Sequence, residues 1–70
     1  MSSSRLASRL KEARIKAGLT QAELAELAGV SRKTVNTVEN GVFIPSTVLA
    51  LCLARALNTT VEDLFWLVEI

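Results

Sequence analysis

The seventy residues include no histidine, no tyrosine, one cysteine, one proline, three glycines and only three aromatic side chains. A lone cysteine, Cys52, forms no disulfide within the chain, and without histidine the usual nitrogen and sulfur ligand set for zinc cannot be assembled. No metal and no cofactor are therefore expected. Histidine-based catalytic groupings, a cysteine dyad and a glycine-rich phosphate loop are all missing, and an enzyme is not expected either. No apolar run approaches the ~20 residues that span a bilayer, and Met1-Ser2-Ser3-Ser4-Arg5 lacks the apolar stretch of a leader. The expectation is a soluble, cytoplasmic protein in a reducing compartment, with no membrane partner.

What is present favours helices. Half of the residues are apolar, and Ala, Leu, Glu, Lys and Arg are abundant while glycine and proline are few. Seventy residues make one domain, 1–70, and at that size folding buries only about 60% of the surface of the unfolded chain. The core must be efficient. Cys52, amid Leu49, Leu53 and Ala56, reads as a small buried hydrophobe rather than a redox group.

Helix start and stop signals divide the chain into five helical segments. Leu6, Leu10, Ala13 and Ala17 recur at helical spacing, so a first helix is predicted from Ser4 to Ala17, closed by Gly18. Thr20-Gln21-Ala22-Glu23 is a capping box that opens a second helix, ended by Gly29. Ser31 caps a third that reaches Asn40 before Gly41. Pro45 biases Ile44 away from helical geometry, Ser46 caps a fourth helix to Leu57, and Asn58 ends it. Thr60-Val61-Glu62-Asp63 approximates a capping box with an acid one methylene short. It opens a fifth helix running through Leu64, Phe65, Trp66, Leu67 and Val68.

Net charge is only +1, but its distribution is uneven. Seven basic residues face four acidic ones through position 40, and one faces three beyond it. The amino-terminal side is basic, and two cations, Arg32 and Lys33, stand in the first turn of the third helix, where the backbone already carries positive partial charge. An external anion would balance them. Ala25 is small where the second and third helices approach, Leu24 and Ala28 complete the inner face, and Val30, Val35 and Val38 turn toward the second helix. Arg32, Lys33, Thr34, Asn36 and Thr37 are left on the outer or adjoining face.

The run from Gln21 to Gly41, with Leu10-Lys11, Arg14 and Gly18-Leu19-Thr20 before it and Pro45, Leu57 and Val61-Glu62-Asp63-Leu64-Phe65 after it, closely resembles the XRE family of lambdoid phage repressor and Cro-like regulators. The resemblance implies an all-α, five-helix lambda-repressor-like domain with its helix-turn-helix at about 21–40. It implies a sequence-specific transcriptional regulator that binds double-stranded DNA by its third helix in the major groove. Arg32, Lys33, Thr34, Asn36 and Thr37 then fall at positions that face base edges. Asn36 suits adenine or a phosphate, and Thr37 offers either its methyl or its hydroxyl. Gln21, Ser31 and Asn40 fall at phosphate-holding positions, and Arg14 and Glu39 match a partly buried ion pair.

Val42-Phe43-Ile44 depart from the family's frequent basic or polar residues there, so phosphate affinity is expected to be modest, with Phe43 packing on a partner or against the final helix. A helical carboxyl end cannot hide all of Leu64, Phe65, Trp66, Leu67, Val68 and Ile70 on one face. A homodimer through Leu64, Trp66, Leu67 and Ile70 would cover them and set two recognition helices on an inverted repeat, in keeping with a repressor; alternatively the end is a cut from a longer chain. An antitoxin or protein-interaction module, or the DNA-binding domain of a larger ligand-responsive regulator, are the rival readings. No small-molecule ligand is expected in this domain.

Overall fold

The computed structural model, which describes residues 4–69, turns the capping signals into helix starts. Its elements run β1 (Ser4–Ser8), α1 (Leu10–Lys16), α2 (Gln21–Ala28), α3 (Arg32–Glu39), α4 (Thr47–Ala56), α5 (Val61–Leu64) and β2 (Phe65–Glu69). At α2 the Glu23 N–H donates to Thr20 Oγ1 at 3.0 Å while the Thr20 N–H donates to Glu23 Oε1 at 2.9 Å, closing the predicted box. Ser31 and Ser46 accept from the N–H groups of Thr34 and Leu49, each at 3.1 Å, and so open α3 and α4. Thr60 accepts from the Asp63 N–H at 3.2 Å, but the Asp63 carboxylate takes a proton donor from Thr59 instead, at 2.9 Å. The missing methylene redirects that acid to its neighbour.

All five expected helices form, but the first and last are cut short by strands at the chain ends, and the fold is not strictly all-α. Residues 4–8 and 65–69 form a two-stranded antiparallel sheet in the register Ser4 with Glu69, Leu6 with Leu67 and Ser8 with Phe65. The first helix begins only at Leu10, whose N–H donates to Ser8 Oγ at 3.1 Å. The last helix is a single turn that ends at Leu64. Pairing satisfies the backbone groups that face the partner strand, and Phe65, Trp66 and Val68 are residue types that suit an extended, half-covered surface. Leu6 still reaches the core, but from a strand.

Strand geometry also sorts the apolar carboxyl end by alternation. Phe65, Leu67 and their partners Ser8 and Leu6 share one face, whereas Trp66 and Ala7 point to the other. Phe65 is buried, and the Arg9 guanidinium lies over the Trp66 ring, 4.6 Å from its centroid. The core itself centres on Leu10, Leu24, Val35, Val38, Leu53 and Leu64, with Cys52 half-buried against it. Leu64 is 1% exposed, so it packs inside its own chain and is withdrawn from any surface between copies. Trp66 and Leu67 point to opposite faces of the sheet, and Ile70 lies outside the described residues.

Candidate nucleic-acid interface

Helices α2 and α3 are joined by Gly29, Val30 and Ser31. Gly29 has φ +74°, and this left-handed turn lets the Val30 N–H return to the Ala25 carbonyl at 2.9 Å. Val30 is thereby folded against the core while the chain reverses into α3. Leu24, Ala25 and Ala28 of α2 and Val35 and Val38 of α3 are buried. The opposite side of α3 stays open, with Arg32, Lys33 and Asn36 exposed and Thr34 and Thr37 half-buried.

An ion pair ties this unit to α1. Arg14 Nε donates to Glu39 Oε2 at 2.6 Å, Nη2 to Oε1 at 3.3 Å, and Nη1 to the Leu19 carbonyl at 2.8 Å. The two side chains are only 11% and 2% exposed. Gln21 Nε2 adds a hydrogen bond to Glu39 Oε1 at 3.1 Å and another to Asn36 Oδ1 at 3.3 Å, and Asn40 Nδ2 donates to the same Asn36 oxygen at 2.9 Å. One carboxylate therefore joins α1 to the start of α2 and the end of α3. Arg14 and Arg9 are committed to partners within the chain, so the basic character of the amino-terminal side rests on fewer free cations than its composition suggests.

The network also fixes what each side chain can offer. Asn36 Oδ1 already accepts two hydrogen bonds, which leaves its Nδ2 as a donor. Gln21 uses its amide donors on Asn36 and Glu39. The Thr34 and Ser31 hydroxyls lie 2.9 Å apart, and the single Thr37 hydroxyl hydrogen is shared between the carbonyls of Lys33 and Thr34, both at 3.0 Å from Oγ1. In the first turns, the caps satisfy the N–H groups of Glu23 and Thr34, and Gln21, Ala22, Arg32 and Lys33 carry the first N–H groups of their helices. Arg32 borders a cleft of about 400 Å³ with Arg14, Thr20, Gln21 and Ala22, beside the start of α2.

One part of this surface was not legible. Gly41 has φ +72°, and its turn brings the Val42 N–H to the Thr37 carbonyl at 3.0 Å, with the Phe43 N–H on the same oxygen at 3.2 Å. Val42 and Phe43 therefore lie along the outer side of α3, in a cleft shared with Lys33, Thr34 and Thr37. Phe43 borders α3 in this cleft, and the final helix expected beside it is reduced to the single turn α5. Glycine after a helix predicts this return of the chain, and a hydrophobic residue next to it commonly packs on the last turn. That pairing was the available signal.

Two short helices at a steep turn, the second with a buried valine side and an exposed polar side, define a helix-turn-helix DNA-binding domain. The helix-turn-helix family profile matches residues 10–64, and the chain belongs to the XRE family of helix-turn-helix transcriptional regulators. It is 43% identical over 61 residues to an uncharacterised HTH-type transcriptional regulator of Bacillus subtilis strain 168, YgzD, covering 87% of this chain and 92% of that one. The crystal structure of the restriction-modification controller protein C.AhdI from Aeromonas hydrophila is similar at 42% identity and a TM-score of 0.76, over 79% of this chain and 83% of that one. The transcriptional regulator VanUg matches with a TM-score of 0.75 over 100% of this chain and 93% of that one. At 22% identity this shows the fold, the span of the terminal strands included. No helix among the described residues is long and apolar enough to cross a membrane.

Proposed function

We propose that this regulator reads a specific duplex sequence through the major groove, binds an inverted repeat as a homodimer and represses by occupying its site. The observation that carries the reading is the open first turn of α3. There the helix dipole and the N–H groups of Arg32 and Lys33 are joined by two exposed cationic side chains, Arg32 beside the start of α2 and Lys33 beside Val42 and Phe43. Arg32 or Lys33 donates to O6 and N7 of guanine, a contact worth roughly 1–3 kcal/mol of discrimination. Asn36, whose Oδ1 accepts from Gln21 and Asn40, offers its Nδ2 to a phosphate or to a base acceptor. Thr34 lies at the margin of the reading face. Gln21, Ser31 and Asn40 flank the groove at phosphate positions, and the Gln21 side chain gives up its 3.3 Å bond to Asn36 when it turns to a phosphate.

The surface between copies is reassigned. Leu64 is inside the core and Trp66 lies under Arg9, but Ile44, Val48 and Leu51 are exposed and border adjoining apolar clefts around α4. Leu67 shares a sheet face with Leu6, which lines one of those clefts. A second reading, in which a different protein docks on these side chains, rests on the same exposure. Sedimentation of the purified chain discriminates, since a dimer at micromolar concentration supports the first and a monomer the second.

Selection of bound duplexes from a random pool, at a stated salt concentration, tests the function itself. The expected product is an inverted repeat whose half-sites lie about one helical turn, ~34 Å, apart. Recovery of unselected sequence would contradict the proposal.

A further inference from the structure

We propose that the outer face of α3 carries, beside its cationic first turn, an apolar cleft built from Thr37, Val42 and Phe43 that reads the 5-methyl group of thymine. The inference rests on the DNA-binding reading above and names the base chemistry of the second half of that face.

Thr37 is the starting point. Its hydroxyl hydrogen is held by backbone carbonyls of its own helix, Lys33 and Thr34, so toward a base the side chain presents its methyl and an acceptor oxygen but no donor. The turn at Gly41 then lays Val42 and Phe43 alongside, through two N–H groups that converge on the Thr37 carbonyl. Together with Lys33 and Thr34 these residues line a cleft of about 300 Å³. Val42 is 77% exposed and Phe43 47%, although both are large and apolar. Neither belongs to the core.

Thymine supplies a matching group. Its 5-methyl projects into the major groove, the only apolar feature that the four bases present there, and side-chain methyls and aromatic rings are its usual contacts. Lys33 lines the same cleft, so the apolar pocket adjoins a cation that reaches a base edge or phosphate. The occupant is therefore placed by continuity with the DNA-facing side of α3. A protein partner has no such anchor here, and Lys33 at the cleft edge favours an anionic polymer over an apolar segment.

The test substitutes 2′-deoxyuridine for thymidine, one position at a time, in both halves of a selected duplex, which deletes one methyl and leaves base pairing intact. Affinity is measured by titration at fixed salt for the wild-type protein and for Phe43→Ala and Val42→Thr. Both positions lie outside the core, and circular dichroism checks that the variants fold. Wild-type binding should fall about fourfold for each buried methyl at one or two thymines per half-site, the worth of one methylene-sized apolar group. Phe43→Ala should bind the thymidine and deoxyuridine duplexes more nearly alike while keeping its preference at the other base pairs. A wild-type protein that selects a site but tolerates deoxyuridine everywhere overturns the thymine cleft and leaves the DNA-binding reading standing. Undiminished methyl sensitivity in Phe43→Ala and Val42→Thr, with a changed oligomeric state, assigns these residues to contacts between copies and also overturns it. Failure to select any sequence overturns the parent reading and this one together.

Discussion

Glu39 is the residue on which most of the site's geometry converges. It receives Arg14 and Gln21 from two other segments and is nearly closed off from solvent, so its charge is compensated by hydrogen bonds rather than by water. Removing it strands the Arg14 guanidinium, which keeps only the Leu19 carbonyl at 2.8 Å among its present bonds. Glu39→Ala should destabilise the fold by about 3 kcal/mol, the lower end of what breaking a buried pair costs, because Arg14 retains some exposure. In a domain of this size that lowers the thermal midpoint by more than about 10 °C. The double variant Arg14→Met with Glu39→Leu should lose less than the single change, and calorimetry of both proteins checks the ordering. The pair was legible only through family resemblance, since nothing local relates residues 25 positions apart. The hydrogen bonds of Asn36 and Thr37 were illegible for a different reason. Which of several possible donors a side chain uses depends on neighbours that the sequence does not place.

Elements divide sharply by how local their causes are. The caps at Thr20, Ser31 and Ser46 act within three residues, and each appears at its expected position. The terminal strands depend on a partner sixty residues away, and a run such as Ser4-Arg5-Leu6-Ala7-Ser8 carries a helical apolar spacing that is equally compatible with an extended segment. Leu6 and Leu10 face the core by two different geometries, which periodicity alone cannot separate. The caps also predict an acid response. The hydrogen bonds from Thr20, the backbone one first, hold the Glu23 carboxyl below the ordinary glutamate value. The Thr59 hydroxyl, then Thr60, does the same for Asp63. A carboxyl depressed by folding contributes stability that is complete above its unfolded value and is lost as pH falls through the folded one. Thermal midpoints should therefore hold steady near neutrality and decline at and below the ordinary carboxylate range. Glu23→Gln should flatten part of that decline, which a pH series of melting curves would reveal.

In the proposed function a single molecule would read one half-site with α3, a helix of eight residues about 12 Å long. The proposed two-fold pairing through Ile44, Val48 and Leu51 would supply the second helix and cover side chains that are otherwise open to water. Leu51→Glu should shift the protein to monomer in sedimentation and weaken binding to a full inverted repeat by at least tenfold, with little effect on an isolated half-site. Retention of a dimer would place the two-fold elsewhere. The central claim, that the cationic first turn of α3 reads base edges, is tested most directly by comparing Arg32→Ala and Lys33→Ala with Asn36→Ala across a panel of single-base operator variants at one salt concentration. On that claim Arg32→Ala or Lys33→Ala loses roughly 1–3 kcal/mol on the selected site and levels the panel at one base pair, whereas Asn36→Ala weakens every duplex alike. An unchanged base preference in both cationic variants would contradict it.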